Sequence, residues 1–240
     1  MRIEPVLYGT HAGATPAAVL FDLDDTLFPQ RSWLTGAWRA VATRAAGSSV
    51  EPDALLRALL AVAAQGSDRG HVIDRALQIV GARDVPVEPL VDAFRRYAPD
   101  RLDTYPGTHR ALTLLGRRVP LALVTDGDPL VQHNKLRALG LAGRFTVMVF
   151  SDELGREHRK PDPLPFRVAL DGLGVEAADA VYVGDRPEKD VAGARAAGIR
   201  CIRVRTGEYR AAPDVPRPWA TVRDVVDAIR LLDAPTRLAG

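Results

Sequence analysis

Apolar residues recur along the chain with two different periods. Short continuous apolar runs stand at Ala18–Leu23, Leu121–Thr125, Val147–Phe150, Ala180–Gly184 and Cys201–Val204. Runs of this length, bounded by Gly, Pro or charged residues, predict strands buried on both faces. From about residue 105 onward, helical spacing fills the intervals between them. Helices are expected at Thr108–Leu115, Pro129–Leu139, Pro163–Leu173, Pro187–Ala197 and Thr221–Leu232. Strands alternating with helices predict a parallel sheet covered on both sides.

The stretch from about 31 to 98 differs. It carries four amphipathic helical patterns, at Ser32–Ala46, Pro52–Ala64, His71–Val80 and Val87–Tyr97, and no strand pattern. Leu55, Leu56, Leu59 and Leu60 show the spacing, as do Leu90, Val91 and Phe94. Gly47-Ser48-Ser49, Gln65-Gly66-Ser67 and Pro86 punctuate them. The expected fold class is α/β: a Rossmann-like parallel sheet flanked by helices, interrupted by an all-helical insertion. The sequence divides into an arm (1–16), a core (17–30 and 100–240) and the insertion (31–99). The arm carries Pro5, Gly9, Gly13 and Pro16 and is expected to be loosely held. Sites of such sheets lie at the carboxyl ends of the strands. An insertion just after the first strand would therefore sit over the site as a lid.

Composition narrows the function classes. The chain has 240 residues, 47% hydrophobic and 26% charged, as expected of a soluble globular protein. Its net charge of +2 is too small a field to steer a polyanion, so no nucleic-acid partner is expected. Only three of the 32 basic positions are lysine: Lys135, Lys160 and Lys189. A chain that favours arginine this strongly keeps lysine where a compact point charge is needed. The single cysteine, Cys201, lies in an apolar run and reads as a small buried hydrophobe. No intrachain disulfide can form, no signal-like segment opens the chain, and no apolar run is long enough to span a bilayer. A cytoplasmic protein without a membrane partner is expected. The pattern does not specify an oligomeric state.

The chemistry gathers at the strand ends. The first run closes in Asp22-Leu23-Asp24-Asp25-Thr26, and alternate residues of an extended segment point the same way. Asp22 and Asp24 therefore form a like-charge pair that needs something positive beside it, and a divalent cation is the natural candidate. The second run ends in Thr125-Asp126-Gly127. His158-Arg159-Lys160-Pro161 follows the third, and Gly184-Asp185 with Asp190 ends the fourth. Three carboxylates and waters suit Mg²⁺, which prefers octahedral oxygen coordination. A carboxylate beside the metal can attack phosphorus, and a second can carry the proton. A hydroxyl and a lysine can hold phosphoryl oxygens as charge redistributes.

These four segments, in this order, resemble the motifs of the haloacid dehalogenase superfamily: Asp22 to Thr26, Thr125, Lys160 before Pro161, and Gly184-Asp185 with Asp190. The resemblance spans residues 17 to 205, and the insertion is similar to the superfamily's helical cap. It implies that Asp22 is the nucleophile and a metal ligand. Asp24 would be the general acid and base, with its backbone carbonyl on the metal. Thr125 and Lys160 would bind the phosphoryl group. Asp185 would ligate Mg²⁺, and Asp190 would stand behind it or orient Lys160. Many relatives carry Asn where this chain has Asp126, whose role stays open: it repels phosphate, points away or, with Gly127, contacts substrate.

The implied activity is Mg²⁺-dependent hydrolysis of a small phosphorylated metabolite through an aspartyl phosphate. Phosphoryl transfer to a second hydroxyl, as in a phosphosugar mutase, and a catalytically silent binding module are the alternatives. Dehalogenation is disfavoured, since that branch lacks an acid at the position of Asp24. Asp25 is expected to cap a turn or face solvent, and Arg186 and Lys189 to be solvated. His109, His133 and His158 lack ligand spacing and read as structural, and His71 as the start of a helix. Phe28, Trp33 and Trp38 read first as core and second as contacts to the substrate's far end.

Overall fold

The computed structural model describes residues 6–7, 15–46, 50–66, 70–82 and 84–233. Its sheet has seven strands: β1 (Val6–Leu7), β2 (Ala18–Phe21), β3 (Leu121–Thr125), β4 (Val147–Phe150), β5 (Ala180–Gly184), β6 (Arg200–Val204) and β7 (Ala220–Val222). They lie in the order β1-β7-β6-β5-β2-β3-β4. Every neighbouring pair is parallel except β1 with β7. From β2 the chain runs outward through β3 and β4, then returns to the other side of β2 to lay down β5 and β6. The order reverses at β2, so the carboxyl ends of β2, β3 and β5 border the crevice where such sheets bind ligands.

Alternation along the strands builds two apolar layers. Val19, Phe21, Leu123, Val183 and Ile202 face one side, where α5 (Thr108–Leu115), α6 (Pro129–Ala138) and α9 (Val225–Asp233) contribute Leu112, Leu136 and Ile229. Leu20, Val124 and Tyr182 face the other, against Phe166 and Leu170 of α7 (Leu164–Leu173) and Ala194 of α8 (Ala192–Ala196). Between β2 and β3 the chain forms α1 (Gln30–Arg44), α2 (Pro52–Ala63), α3 (Val72–Ile79) and α4 (Glu88–Arg96). These helices close on a core of their own, with Val41, Leu55, Leu59, Leu77 and Leu90. Local chemistry sets their starts. Pro52 opens α2, where the Glu51 carboxylate accepts from the amides of Asp53 and Ala54 at 2.9 and 2.7 Å. Pro129 opens α6 behind Asp128, which accepts from Leu130 N at 2.9 Å.

Three expectations change. Val6–Leu7 of the arm pairs with β7, Val6 opposite Thr221 and Leu7 opposite Ala220; the rest of the arm up to residue 14 lies outside the described residues, as does Gly47-Ser48-Ser49. Thr221 and Val222, expected to open the last helix, form β7 with Ala220. The helix starts later because Asp224 caps it, accepting from Asp227 N at 2.9 Å. The helix expected at Pro187–Ala197 begins instead as a π-helical turn, Pro187–Val191, where Val191 N donates to Arg186 O. Such turns cluster at functional sites, and this one turns the Asp190 side chain back toward the end of β5.

Candidate active site

The turn after β2, the end of β3, the loop after β4 and the end of β5 surround a cavity of about 180 Å³. Every site candidate drawn from the sequence lines it except Asp190, which is wholly buried behind it. Backbone pairing continues past β2, since Asp22 N donates to Val183 O at 2.9 Å. That bond fixes the nucleophile candidate against β5.

The floor is a buried ionic cluster. Lys160 Nζ donates to Asp22 Oδ1 at 2.6 Å, Asp190 Oδ1 at 2.7 Å and the Tyr182 hydroxyl at 3.1 Å. An ammonium has three protons, so all are engaged. Burial alone would depress the Lys160 ammonium, but the Asp190 and Asp22 carboxylates outweigh it and hold it above its ordinary value. Asp190 Oδ1 also accepts from Tyr182 at 2.9 Å, and its Oδ2 accepts from the amides of Asp185 and Arg186 at 3.1 and 2.9 Å. Burial pushes the Asp190 carboxyl up, yet Lys160 and these donors keep it below its ordinary value. With both oxygens saturated, Asp190 serves better as a brace than as a ligand. Asp22 differs: burial pushes its carboxyl up to about 7 against the pull of Lys160, with Asp190 and Asp24 adding to the rise. The Thr26 hydroxyl donates to Asp22 Oδ2 at a long 3.3 Å.

This chemistry fits a divalent cation. Asp22, Asp185 and Asp190 bring ligand atoms within 4.8 Å of one another. Both Asp185 carboxylate oxygens are buried without a hydrogen-bond partner among the described residues. Burial, then the charges of Asp190, Asp22 and Asp25, raise the Asp185 carboxyl well above the ordinary range. Two buried carboxylates short of positive charge are what a hard cation relieves.

Asp24 is not part of that acidic group. Its carboxylate turns toward α6, where Lys135 Nζ lies 2.8 Å from both oxygens and Gln132 Nε2 donates to Oδ2 at 3.1 Å. The positive partner that the Asp22–Asp24 pair required is therefore partly a lysine. Gln132 also donates to Thr125 Oγ1 at 2.7 Å, binding the end of β3 into the same arrangement. Asp126 faces inward: its Oδ1 accepts from the Ser151 hydroxyl at 2.9 Å and from Lys160 N at 3.0 Å, and its Oδ2 lies 3.8 Å from Lys189. The unusual acid braces the backbone that carries Lys160.

Asp25 is half-buried, lies outside the group of Asp22, Asp185 and Asp190, and caps the chain that follows it. It adopts a left-handed φ of 57°. Its carboxylate accepts from Gln30 N at 2.9 Å and Glu208 N at 3.1 Å, joining the start of the insertion to the loop after β6. Gly207 is required there, because a Cβ would lie 2.1 Å from Asp25 Cγ. Arg186 and Lys189, expected to be solvated, are half-buried and line the cavity with Arg159, Glu208 and Tyr209. Arg186 stacks on Tyr209 at 4.2 Å and donates to its hydroxyl at 2.9 Å. Phe28, Trp33 and Trp38 are packed in the apolar cores, and His109, His133 and His158 do not line the cavity. Sequence reading missed Tyr182, a polar head on a wholly buried strand, and the pair Gln132 and Lys135. The scarcity of lysine and the one-turn spacing of that pair were the available signals.

The family model for haloacid dehalogenase-like hydrolases matches residues 16–198. The chain is 35% identical over 233 residues to a glyceraldehyde 3-phosphate phosphatase of Methanopyrus kandleri, covering 90% of this chain and 97% of the relative. It is 35% identical over 209 residues to a phosphoglycolate phosphatase of Rhodospirillum rubrum, covering 81% and 82%. Among solved structures, a 2-haloacid dehalogenase from Pseudomonas syringae superposes with a TM-score of 0.65 at 28% identity, covering 91% of this chain and 98% of that one. No helix among the described residues is long and apolar enough to cross a membrane.

Proposed function

Because the chain belongs to the haloacid dehalogenase-like hydrolases and is a hydrolase of the phosphatase kind, we propose that it is a Mg²⁺-dependent phosphomonoesterase acting on a small phosphorylated metabolite. One observation carries the reading. Lys160 joins Asp22 to Asp190 inside the cavity floor, beside an Asp185 carboxylate with no partner for either oxygen among the described residues. Asp22 and Asp185 would hold Mg²⁺, with the Asp24 carbonyl as a third oxygen. The bound cation would offset the charge that gathers on the phosphoryl oxygens.

The side chains then divide the reaction. Asp22 attacks phosphorus, the ester P–O bond breaks, and Asp24 gives its proton to the departing oxygen. Lys160, already against Asp22, and the Thr125 hydroxyl hold the transferred oxygens. Water next attacks phosphorus and passes its proton to Asp24, the bond to Asp22 breaks, and inorganic phosphate leaves. A cavity of about 180 Å³ suits a small ester. The relatives named for glyceraldehyde 3-phosphate and phosphoglycolate support that size class. The insertion would close over it as a lid.

Release of phosphate from p-nitrophenyl phosphate, with Mg²⁺ and with a chelator, tests the proposal. Wild type should turn over only with the metal, and Asp22→Asn should lose roughly 10⁴-fold or more. Metal-dependent release equal to that of Asp22→Asn would overturn it. Measuring free phosphate rather than nitrophenol separates hydrolysis from transfer to another hydroxyl.

A further inference from the structure

We propose that Lys135 is a positioning residue for the reaction, fixing the Asp24 carboxylate at the wall of the cavity from a seat that the helical insertion supplies. The inference rests on the reading of Asp24 as the proton carrier. Lys135 is one of only three lysines in the chain and is 3% exposed, in the middle of α6. Its ammonium meets both Asp24 oxygens at 2.8 Å, a two-point grip that fixes the tilt of the carboxylate as well as its place. A single contact would leave the carboxylate free to turn about its last torsion.

The seat comes from the other side of the crevice. The ammonium lies over the Trp33 ring, 4.6 Å from its centroid. Trp33 belongs to α1 and is itself wedged edge-on against Phe94 of α4 at 5.0 Å and tilted against Tyr97 at 5.8 Å. The negative face of the indole stabilises a cation that is withdrawn from water. One turn earlier on α6, Gln132 Nε2 reaches Asp24, Thr125 and the Asp126 carbonyl together. Asp24 is thus held by α6 on both flanks, and α6 is held through Trp33 by the insertion. A shift of α1 relative to the sheet moves the surface on which Lys135 rests. Proton delivery is coupled in this way to the placement of the insertion, which a lysine serving only the core would not require.

The test compares leaving groups. With saturating Mg²⁺, kcat/KM reads the steps through phosphoenzyme formation, and it is measured for p-nitrophenyl phosphate, phenyl phosphate and glycerol phosphate. A nitrophenolate departs without a proton, whereas an alkoxide needs one. Lys135→Gln should lower the glycerol phosphate value at least about tenfold more than the p-nitrophenyl value, in the direction set by Asp24→Asn. Trp33→Leu should shift the ratio the same way by a smaller factor. Should circular dichroism find Lys135→Gln unfolded, Lys135→Met and Trp33→Leu decide by the same ratio. An equal loss for all three esters, or no loss, overturns the inference. If Asp24→Asn leaves the ratio unchanged, or wild type hydrolyses none of the esters, the reading of Asp24 fails first. If Asp24→Asn moves the ratio and Lys135→Gln does not, only the role of Lys135 is lost.

Discussion

The floor and the rim of the cavity are built by opposite rules. On the floor, Lys160, Asp22, Asp190 and Tyr182 are buried, and the bonds among them leave Lys160 and Asp190 without spare capacity. On the rim, Arg159, Arg186, Lys189 and Glu208 are partly open to solvent and set by loops. A buried network with every group satisfied holds its atoms in one arrangement, and losing one member leaves another charge exposed to a low dielectric. A rim bathed in water tolerates loss and rearrangement. Under the proposed function, the difference would give reaction type to the floor and choice of ester to the rim and insertion.

The strongest way to break that contrast is Lys160→Met. It leaves Asp190 and Asp22 as buried carboxylates without their cation, so stability should drop by about 3–5 kcal/mol. Denaturant unfolding reads the drop, and turnover should vanish with it. A variant that kept its stability would mean that the cluster is not a tight ionic unit.

Arg203→Met comes next, and it tests how far the floor supports the rim. Arg203 is wholly buried in β6. It donates to the carbonyls of Asp185 at 3.2 Å, Ala212 at 2.9 Å and Tyr209 at 2.6 Å, and pairs with Asp214. Those bonds hold the loop carrying Glu208 and Tyr209 against the sheet. Methionine should cost about 3 kcal/mol and raise KM, because the loop loses its anchor. Unchanged KM with lowered stability would separate the loop from substrate binding.

The same contrast governs what the sequence disclosed. The charged members of the floor were legible, unlike Tyr182, because such chemistry needs fixed residue types at strand ends, and short apolar runs mark those ends. Asp22, Thr125, Lys160 and Asp185 could be located by counting along the chain. Lys135 and Gln132 could not, because they meet Asp24 more than a hundred positions away, across a helix face whose rotation the sequence does not state. Asp25 read as a turn residue, yet its partners are Gln30 nearby and Glu208 on a distant loop. The strand β7 was hidden because three residues are too few to show a period of two, and the helical pattern beside them is strong. Asp224 was the available cue, since a capping side chain marks where that helix begins.

A smaller effect sharpens the pH behaviour of the loop anchor. Burial pushes the Asp214 carboxyl up, but its bonds from Arg203 and Thr221 and the charge of Arg205 hold it below its ordinary value. A depressed folded pKa means that the unfolded chain binds the proton first on acidification. The contribution of Asp214 is therefore present above pH 3.8, the unfolded value, and is lost as pH falls through the lower folded value. Asp214→Asn should flatten that acid limb of the stability curve and leave its slope near neutrality unchanged. An unaltered acid limb, measured by urea unfolding at stepped pH, would show that the pair adds nothing.

The smallest expected effect lies on the rim itself. Arg186 lines the cavity, with its guanidinium stacked on Tyr209 and bonded to the Tyr209 hydroxyl. Its backbone N–H, not its side chain, serves the floor by donating to Asp190. Substitution by methionine therefore keeps the bond to Asp190 and removes the guanidinium that lines the cavity, with its stack on Tyr209 and its bond to the Tyr209 hydroxyl. Stability should fall by only about 1 kcal/mol, the scale of one partly exposed stacked guanidinium and its hydrogen bond. For an ester bearing a second anion, such as a carboxylate beside the phosphate, KM should rise about 3–10-fold with kcat within about twofold, the sign of lost uniform binding. For p-nitrophenyl phosphate, which lacks that anion, KM should barely move. A fall in kcat for both esters would place Arg186 with the floor and erase the division between the two regions at this position.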